Sequence, residues 1–263
     1  MARNSLKNVF NLIEQAKELQ SVEQSFLSDL KRSIELTDEK NFRKPSKTYK
    51  PSSMNCIRNM WFQVTGQEPD KPASSACLVG ICESGTDRHE RVQNAVVDMK
   101  NNGIDCEYID VAKFVKFRNL DYLEVVEKKG NETKLYNKSL NMSFLCDGII
   151  RYKGKYYILE IKTESIYKWL NRQGVNEAHY NQAIAYSVSL GLDDVIFLYI
   201  NRDNTDMKSF MFSVTSEMKE QLVGRIEQCD EYVKKLMCPP KPENATSKFC
   251  QYCNYKNLCK RNV

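Results

Sequence analysis

The chain has 263 residues, 41% hydrophobic and 28% charged, with 14 Tyr and 11 Phe, which excludes a disordered polypeptide and suffices for one large core with small attachments. No apolar run approaches the roughly 18–20 residues of a membrane helix, and the N-terminus leads into an amphipathic pattern rather than a signal peptide's apolar stretch, so a cytoplasmic protein is expected. Lys and Arg total 39 against 34 Asp and Glu, a surplus of +5 that permits a nucleic-acid partner without demanding one.

In chain order, the first forty residues read as two amphipathic helices. Leu6, Val9, Phe10, Ile13 and Ala16 form one stripe, and Val22, Phe26, Leu27, Leu30 and Ile34 another, with Ser21 and Gln24 fitting a capping box between them. Lys40, Arg43, Lys44, Lys47 and Lys50 then crowd a segment broken by Pro45 and Pro51, which reads as a solvated connector or, more sharply, a backbone-phosphate contact. This places a helical extension and basic linker over 1–50 and one domain over 51–263. Ser52 or Ser53 can cap a short helix carrying Cys56 and Trp61 and closed by Gly66. A longer helix spans about 77–100 and stops at Asn101-Asn102-Gly103. Residues 105–163 look like strands, among them 122–127, 134–137, 143–152 and 155–163. Helices over 164–171 and 176–190 follow, then strands over 195–201 and 209–214 and a helix over 215–237.

The strongest local signal is the pair of β-prone runs around Asp147 and around Glu160-Ile161-Lys162, joined at Lys153-Gly154. With a two-residue loop, Asp147 stands directly opposite Glu160, about 4.5–5.5 Å away at Cβ, and Glu160 and Lys162 share one strand face. A glycine bulge would slip that register by one. Two carboxylates so close repel unless a cation lies between them, and a hard ion such as Mg²⁺ or Mn²⁺ resolves the conflict. The same residues also suit a surface ion pair on a half-exposed hairpin. The chain's two histidines, His89 and His179, fall in the two predicted helices that flank this hairpin in sequence. His179, Gln182 and Tyr186 share one helix face. His89 adds one nitrogen donor, which suits Mn²⁺ as well as Mg²⁺. In the tail, 238–263, Cys250, Cys253 and Cys259 can point three thiolates at one centre; Cys238 and Cys56 are candidates for the fourth, and zinc suits such a set as well as an iron–sulfur cluster. Cys77, Cys82, Cys106, Cys146 and Cys229 read as small buried apolar residues.

Taken in order, Ser53–Cys56, His89, Asp147, Glu160-Ile161-Lys162, Gln182 with Tyr186, and the cysteine trio resemble the PD-(D/E)xK nuclease superfamily over roughly residues 51–260. The branch most similar is that of the RecB-like iron–sulfur exonucleases, including the AddB nuclease domain, CRISPR-associated Cas-four-type enzymes and phage-borne relatives. The resemblance implies an α/β restriction-endonuclease-like core, a central mixed β-sheet flanked by helices, with an iron–sulfur-stapled C-terminal tail. It implies His89, Asp147, Glu160 and the Ile161 carbonyl as ligands of Mg²⁺ or Mn²⁺, with Asp147, Glu160 and Lys162 catalytic. Gln182 and Tyr186 would brace the site and touch DNA, and Cys56, Cys250, Cys253 and Cys259 would hold a 4Fe–4S cluster. The activity implied is that of a metal-dependent DNA exonuclease preferring single-stranded ends, in a bacterium or a phage-infected host cell. A partner from recombination or CRISPR adaptation, or a second copy of the chain, suits such an enzyme. The alternative is a non-catalytic DNA-binding or adaptor module of the same fold, serving a recombination, helicase or CRISPR-adaptation complex.

Overall fold

A computed structural model describes residues 22–41, 45–70, 75–242, 248–251 and 253–261. The expected first helix, Ser21 of the capping box, and Arg43 and Lys44 of the basic linker lie outside the described residues. The chain divides into two compact units: Met1–Arg43 with Pro72–Glu83, and Lys44–Lys71 with Ser84–Val263. In the first unit, helix α1 (Val22–Lys40) has no buried residue, and Glu35 accepts a hydrogen bond from the Ala76 amide (3.1 Å). Helix α3 (Ala76–Asn101) starts in this unit, and its residues from Ser84 onward belong to the second. Cys77 and Cys82, expected inside, are exposed on that first stretch, where α3 turns them to solvent.

The second unit is built on a five-stranded sheet in the order β1–β5–β6–β7–β8: Cys106–Ile109, Gly148–Tyr152, Lys155–Glu164, Asp194–Asn201 and Met207–Ser213. Only β6 and β7 run parallel, so the sheet is mixed. The crossover between those two strands is long enough to hold the short helix α5 (Ile166–Leu170), a 3₁₀ turn (Glu177–His179) and helix α6 (Tyr180–Leu190). The lower face of the sheet carries Leu159, Ile161, Ile150 and Ile200 against Val92 of α3. The upper face carries Ile158, Val195, Phe197 and Tyr199 against Ala183, Tyr186 and Leu190 of α6 and Leu222 and Ile226 of helix α7 (Ser216–Lys234). Strand alternation explains the sorting: even positions of β6 face α6 and odd positions face α3. A mixed sheet flanked by helices is the architecture expected from the sequence.

A second, antiparallel sheet, β2–β3–β4 (Leu123–Lys129, Glu132–Asn137, Met142–Cys146), adds Leu123, Leu135, Met142 and Phe144 to the upper core. The single strand expected over 143–152 is therefore two strands in two sheets, with Asp147 the residue between them. Periodicity alone does not reveal the break, because β-prone residues continue on both sides. Another difference is helix α4 (Val111–Phe117), within the stretch read as strands; Asp110 caps it by accepting from the Lys113 amide (2.9 Å). Nor does either serine cap the early helix. Pro51–Ser53 forms a 3₁₀ turn, Ser53 donates to Gln63 Oε1 (2.6 Å), and helix α2 (Ile57–Val64) starts after Cys56. The β5–β6 hairpin does have the two-residue loop: Tyr152 pairs with Lys155, and Lys153 and Gly154 both take positive φ (49° and 81°), as a type I′ turn requires.

The tail folds back onto α2. Tyr255 is buried against Phe62 (ring centroids 5.4 Å apart), Arg58 donates to the Pro239 carbonyl (3.0 Å), and Asp70 accepts from the Asn257 amide (2.6 Å).

Ile158 lies fully buried at the centre of the upper core, while Leu145 is 52% exposed. Ile158→Ala should cost about 2–5 kcal/mol of unfolding free energy and Leu145→Ala within about 0.5, as read from urea denaturation.

Candidate active site

Of the residues singled out in the sequence, His89, Asp147, Glu160, Lys162, Gln182 and Tyr186 come together where the two sheets meet. The β5–β6 ladder ends at the pair Gly148–Leu159, one step short of Asp147 and Glu160. Asp147 has left the ladder, and its Oδ2 accepts the Ile161 amide (2.8 Å), a donor that β5 no longer reaches. The Asp147 carbonyl is fixed separately, by Gln93 Nε2 (2.7 Å) and by the Tyr108 hydroxyl (2.9 Å), which also lies 2.7 Å from the Asn131 carbonyl. Glycine at 148 makes this possible: a Cβ there would meet the Tyr108 ring at 2.6 Å. Backbone and side chain of Asp147 are thus both held, from different elements.

Glu160 is 2% exposed, in the middle of a ten-residue strand. Its Oε1 accepts from Lys162 Nζ and from Gln182 Nε2 (2.6 Å), while Oε2 is buried with no partner among the described residues. Burial first, and then the nearby charge of Asp147, push the Glu160 carboxyl up to about 8 despite the pull of Lys162. For Lys162, burial disfavours the ammonium, but Glu160 and Asp147 outweigh it and hold its pKa above the ordinary value. Gln182 accepts from Lys162 Nζ (3.1 Å) and passes its second amide hydrogen to the Tyr186 hydroxyl (2.7 Å), which donates to the Leu145 carbonyl (2.6 Å). Tyr186 is 2% exposed, and burial lifts its phenol well above its usual range.

On the other flank, His89 of α3 places Nδ1 3.7 Å from Asp147 Oδ1. His89, Asp147 and Glu132 each offer one ligand atom within 4.8 Å of the others. Sequence reading missed Glu132. It enters from the first position of β3, next to the Gly130-Asn131 turn, and nothing local in the sequence ties it to residues 15 or more positions away. Burial and the Asp147 charge raise its pKa, and Glu160 feels it as well. His89, Asp147 and Glu132 therefore suit a divalent cation as mixed nitrogen and oxygen donors. Glu160 is not of that set, but burial and the Asp147 charge raise its pKa as they raise that of Glu132, and its Oε2 has no hydrogen bond among the described residues.

The thiols gather at a separate place. Cys253 lies near enough to Cys56, Cys250 and Cys259 to feel each electrostatically, and Cys238 feels Cys56 and Cys259. Burial leads in raising the pKa of both Cys253 and Cys238. Cys106, Cys146 and Cys229 are buried.

No protein-family model matches the chain, and no curated protein matches it in sequence. Among solved structures, that of SSO0001 aligns over 91% of this chain and 98% of its own, at 16% identity and a TM-score of 0.49. The alkaline exonuclease LHK-Exo from Laribacter hongkongensis aligns over 73% and 94%, at 10% identity and TM-score 0.42. Its complex with dAMP aligns over 72% and 91%, at 11% and 0.40.

His179, at the start of α6, has its pKa pushed down to about 3, by burial first and then by Lys162, Arg172 and Lys168. The folded protein favours the neutral ring, so this contribution to stability is full above the ordinary value of 6.5 and is lost as pH falls toward 3. His179→Gln should therefore flatten the decline of Tm between pH 6.5 and about 4, measured by calorimetry against wild type.

Proposed function

We propose that this protein is a divalent-metal-dependent deoxyribonuclease of the PD-(D/E)xK type, hydrolysing phosphodiester bonds from DNA ends. The observation that carries the reading is the buried Glu160, which feels the Asp147 charge and has one oxygen held by Lys162 and Gln182 and the other without a partner among the described residues. A structural ion pair would satisfy both oxygens, since an unpaired buried carboxylate oxygen is costly. Here the pairing stops at one oxygen among the described residues, and the Glu160 carboxyl feels the charges of both Asp147 and Glu132.

His89, Asp147 and Glu132 would hold the metal, with Glu160 and the Ile161 carbonyl as further ligands that the resemblance implies. When bound, the ion lowers the pKa of a water and polarises a phosphoryl oxygen. The chain's own groups do the rest. The Ile161 amide fixes Asp147 Oδ2 and leaves Oδ1 toward His89. Lys162 has three N–H donors; Glu160 and Gln182 take two, and the third, which has no partner among the described residues, would orient an attacking water or meet a phosphate oxygen. Gln182 and Tyr186 spend their polar hydrogens within the site, which suits bracing rather than reading a DNA strand.

The gathering of Cys56, Cys250, Cys253 and Cys259 supports a metal staple between α2 and the tail, which we assign to a 4Fe–4S cluster, with zinc as the other candidate occupant. Its role is structural, because the thiols lie on elements that supply nothing to the carboxylate cluster. A single-stranded substrate and a partner from recombination or CRISPR-type adaptation follow from the resemblance.

With end-labelled single- and double-stranded DNA and Mn²⁺ or Mg²⁺, the wild type should give a product ladder that a chelator abolishes. Glu160→Gln and Lys162→Met should lower the rate by on the order of 10²-fold or more with the Tm maintained; a well-folded, fully active Glu160→Gln protein would reverse the assignment. Protein purified without oxygen should be brown, and Cys253→Ser should lose colour and iron together; a colourless wild type containing zinc would replace iron–sulfur by zinc and leave the nuclease reading intact.

A further inference from the structure

Beside the carboxylate cluster, the ends of β6 and β7 carry a second polar constellation that the hydrolytic roles above do not use. Its centre is Tyr199, fully buried on β7. The Tyr199 hydroxyl accepts the Asn176 amide (3.1 Å) and lies 3.0 Å from His179 Nδ1. A phenol has one hydrogen, and having accepted from Asn176 it satisfies all partners by donating that hydrogen to Nδ1. The His179 proton then resides on Nε2. The ring is locked as well as the tautomer: it stacks on Phe197 and Tyr199 at centroid distances of 6.2 and 5.9 Å. Tyr199 is held in turn by Arg172, whose guanidinium lies 4.6 Å above its ring and pairs with both oxygens of buried Glu164.

His179 Nε2 makes no hydrogen bond among the described residues, and the side chain is only partly buried. It is therefore a neutral, immobilised N–H donor open to solvent. Around it stand Lys162, Arg172 and the exposed Lys168, all close enough to oppose its protonation. Arg172 is spent on Glu164, so Lys162 and Lys168 supply the field, and His179 supplies a directed hydrogen bond. A donor of fixed direction in the field of two ammonium groups matches an anionic oxygen better than a base edge or a water.

We propose that His179 Nε2–H and Lys168 form a backbone-phosphate subsite adjoining Lys162, taking a phosphodiester next to the bond being cleaved, with Tyr199 as the residue that positions the imidazole. The proposal rests on the nuclease reading for which strand it serves, and its own content is recognition of one phosphate charge. The test is a walk of single methylphosphonate linkages, each neutral, through a short single-stranded oligonucleotide. Binding is read by fluorescence anisotropy in Ca²⁺ and cleavage by gel in Mn²⁺. For wild type, one position should weaken binding about ten-fold, the size of one charge-assisted hydrogen bond. In His179→Ala that position should lose its effect while the others retain theirs, and Tyr199→Phe, which frees the tautomer, should give an intermediate penalty. Should His179→Ala fail to fold, Tyr199→Phe carries the comparison. No sensitive position in wild type, or a penalty unchanged in the folded variants, overturns the subsite. A pattern as expected in binding, but without cleavage of any oligonucleotide, overturns the nuclease reading and leaves the subsite standing.

Discussion

A carboxylate buried in the middle of a central strand is the constraint around which this molecule is arranged. Removing Glu160 from water costs several kcal/mol if it stays ionised, and the protein compensates only in part. Lys162, two residues on and on the same face, and Gln182, reaching down from α6, both satisfy Oε1. The rest of the deficit shows in the raised carboxyl pKa and the orphan Oε2. A positive charge arriving at this place finds a site already built for it, which is what preorganisation means in electrostatic terms.

The supporting structure spreads that constraint over several elements. Tyr186 connects Gln182 to the Leu145 carbonyl, so the position of α6 over the five-stranded sheet is tied to the end of β4 in the three-stranded one. Gln93 and Tyr108 hold the backbone of Asp147 at the crossing between the sheets. Lys162 and Gln182, which touch Glu160, are thereby each anchored through a second polar partner, and the core on both sheet faces keeps these partners from drifting.

How much of this was legible beforehand follows the range of each interaction. The hairpin turn was visible because Lys153-Gly154 is a local signal between two β-prone runs, and it set the register that places Glu160 and Lys162 on one face. The contact of Gln182 with Tyr186 was visible from helical spacing; His179 was not, since it lies in the 3₁₀ turn before α6 and packs on Phe197 and Tyr199. The break at Asp147 was not, because strand propensity is indifferent to which sheet a strand joins. Helix α4 was hidden for a related reason: Val111, Phe114 and Val115 are as β-prone as they are helix-compatible, and burial against the core decides. Glu132 was illegible because its neighbours in the site come from α3 and from the crossing at Asp147, far along the chain.

The fold-back of the tail on α2 has a consequence for how the protein is made. Phe62 and Arg58 leave the ribosome nearly two hundred residues before the Tyr255 and Pro239 that cover them. Until those later residues emerge, that helix lacks its cover, and the growing polypeptide carries an apolar surface over the interval. Closing so large a loop is entropically slow, so this contact is expected to form after the more local pairings of the sheets.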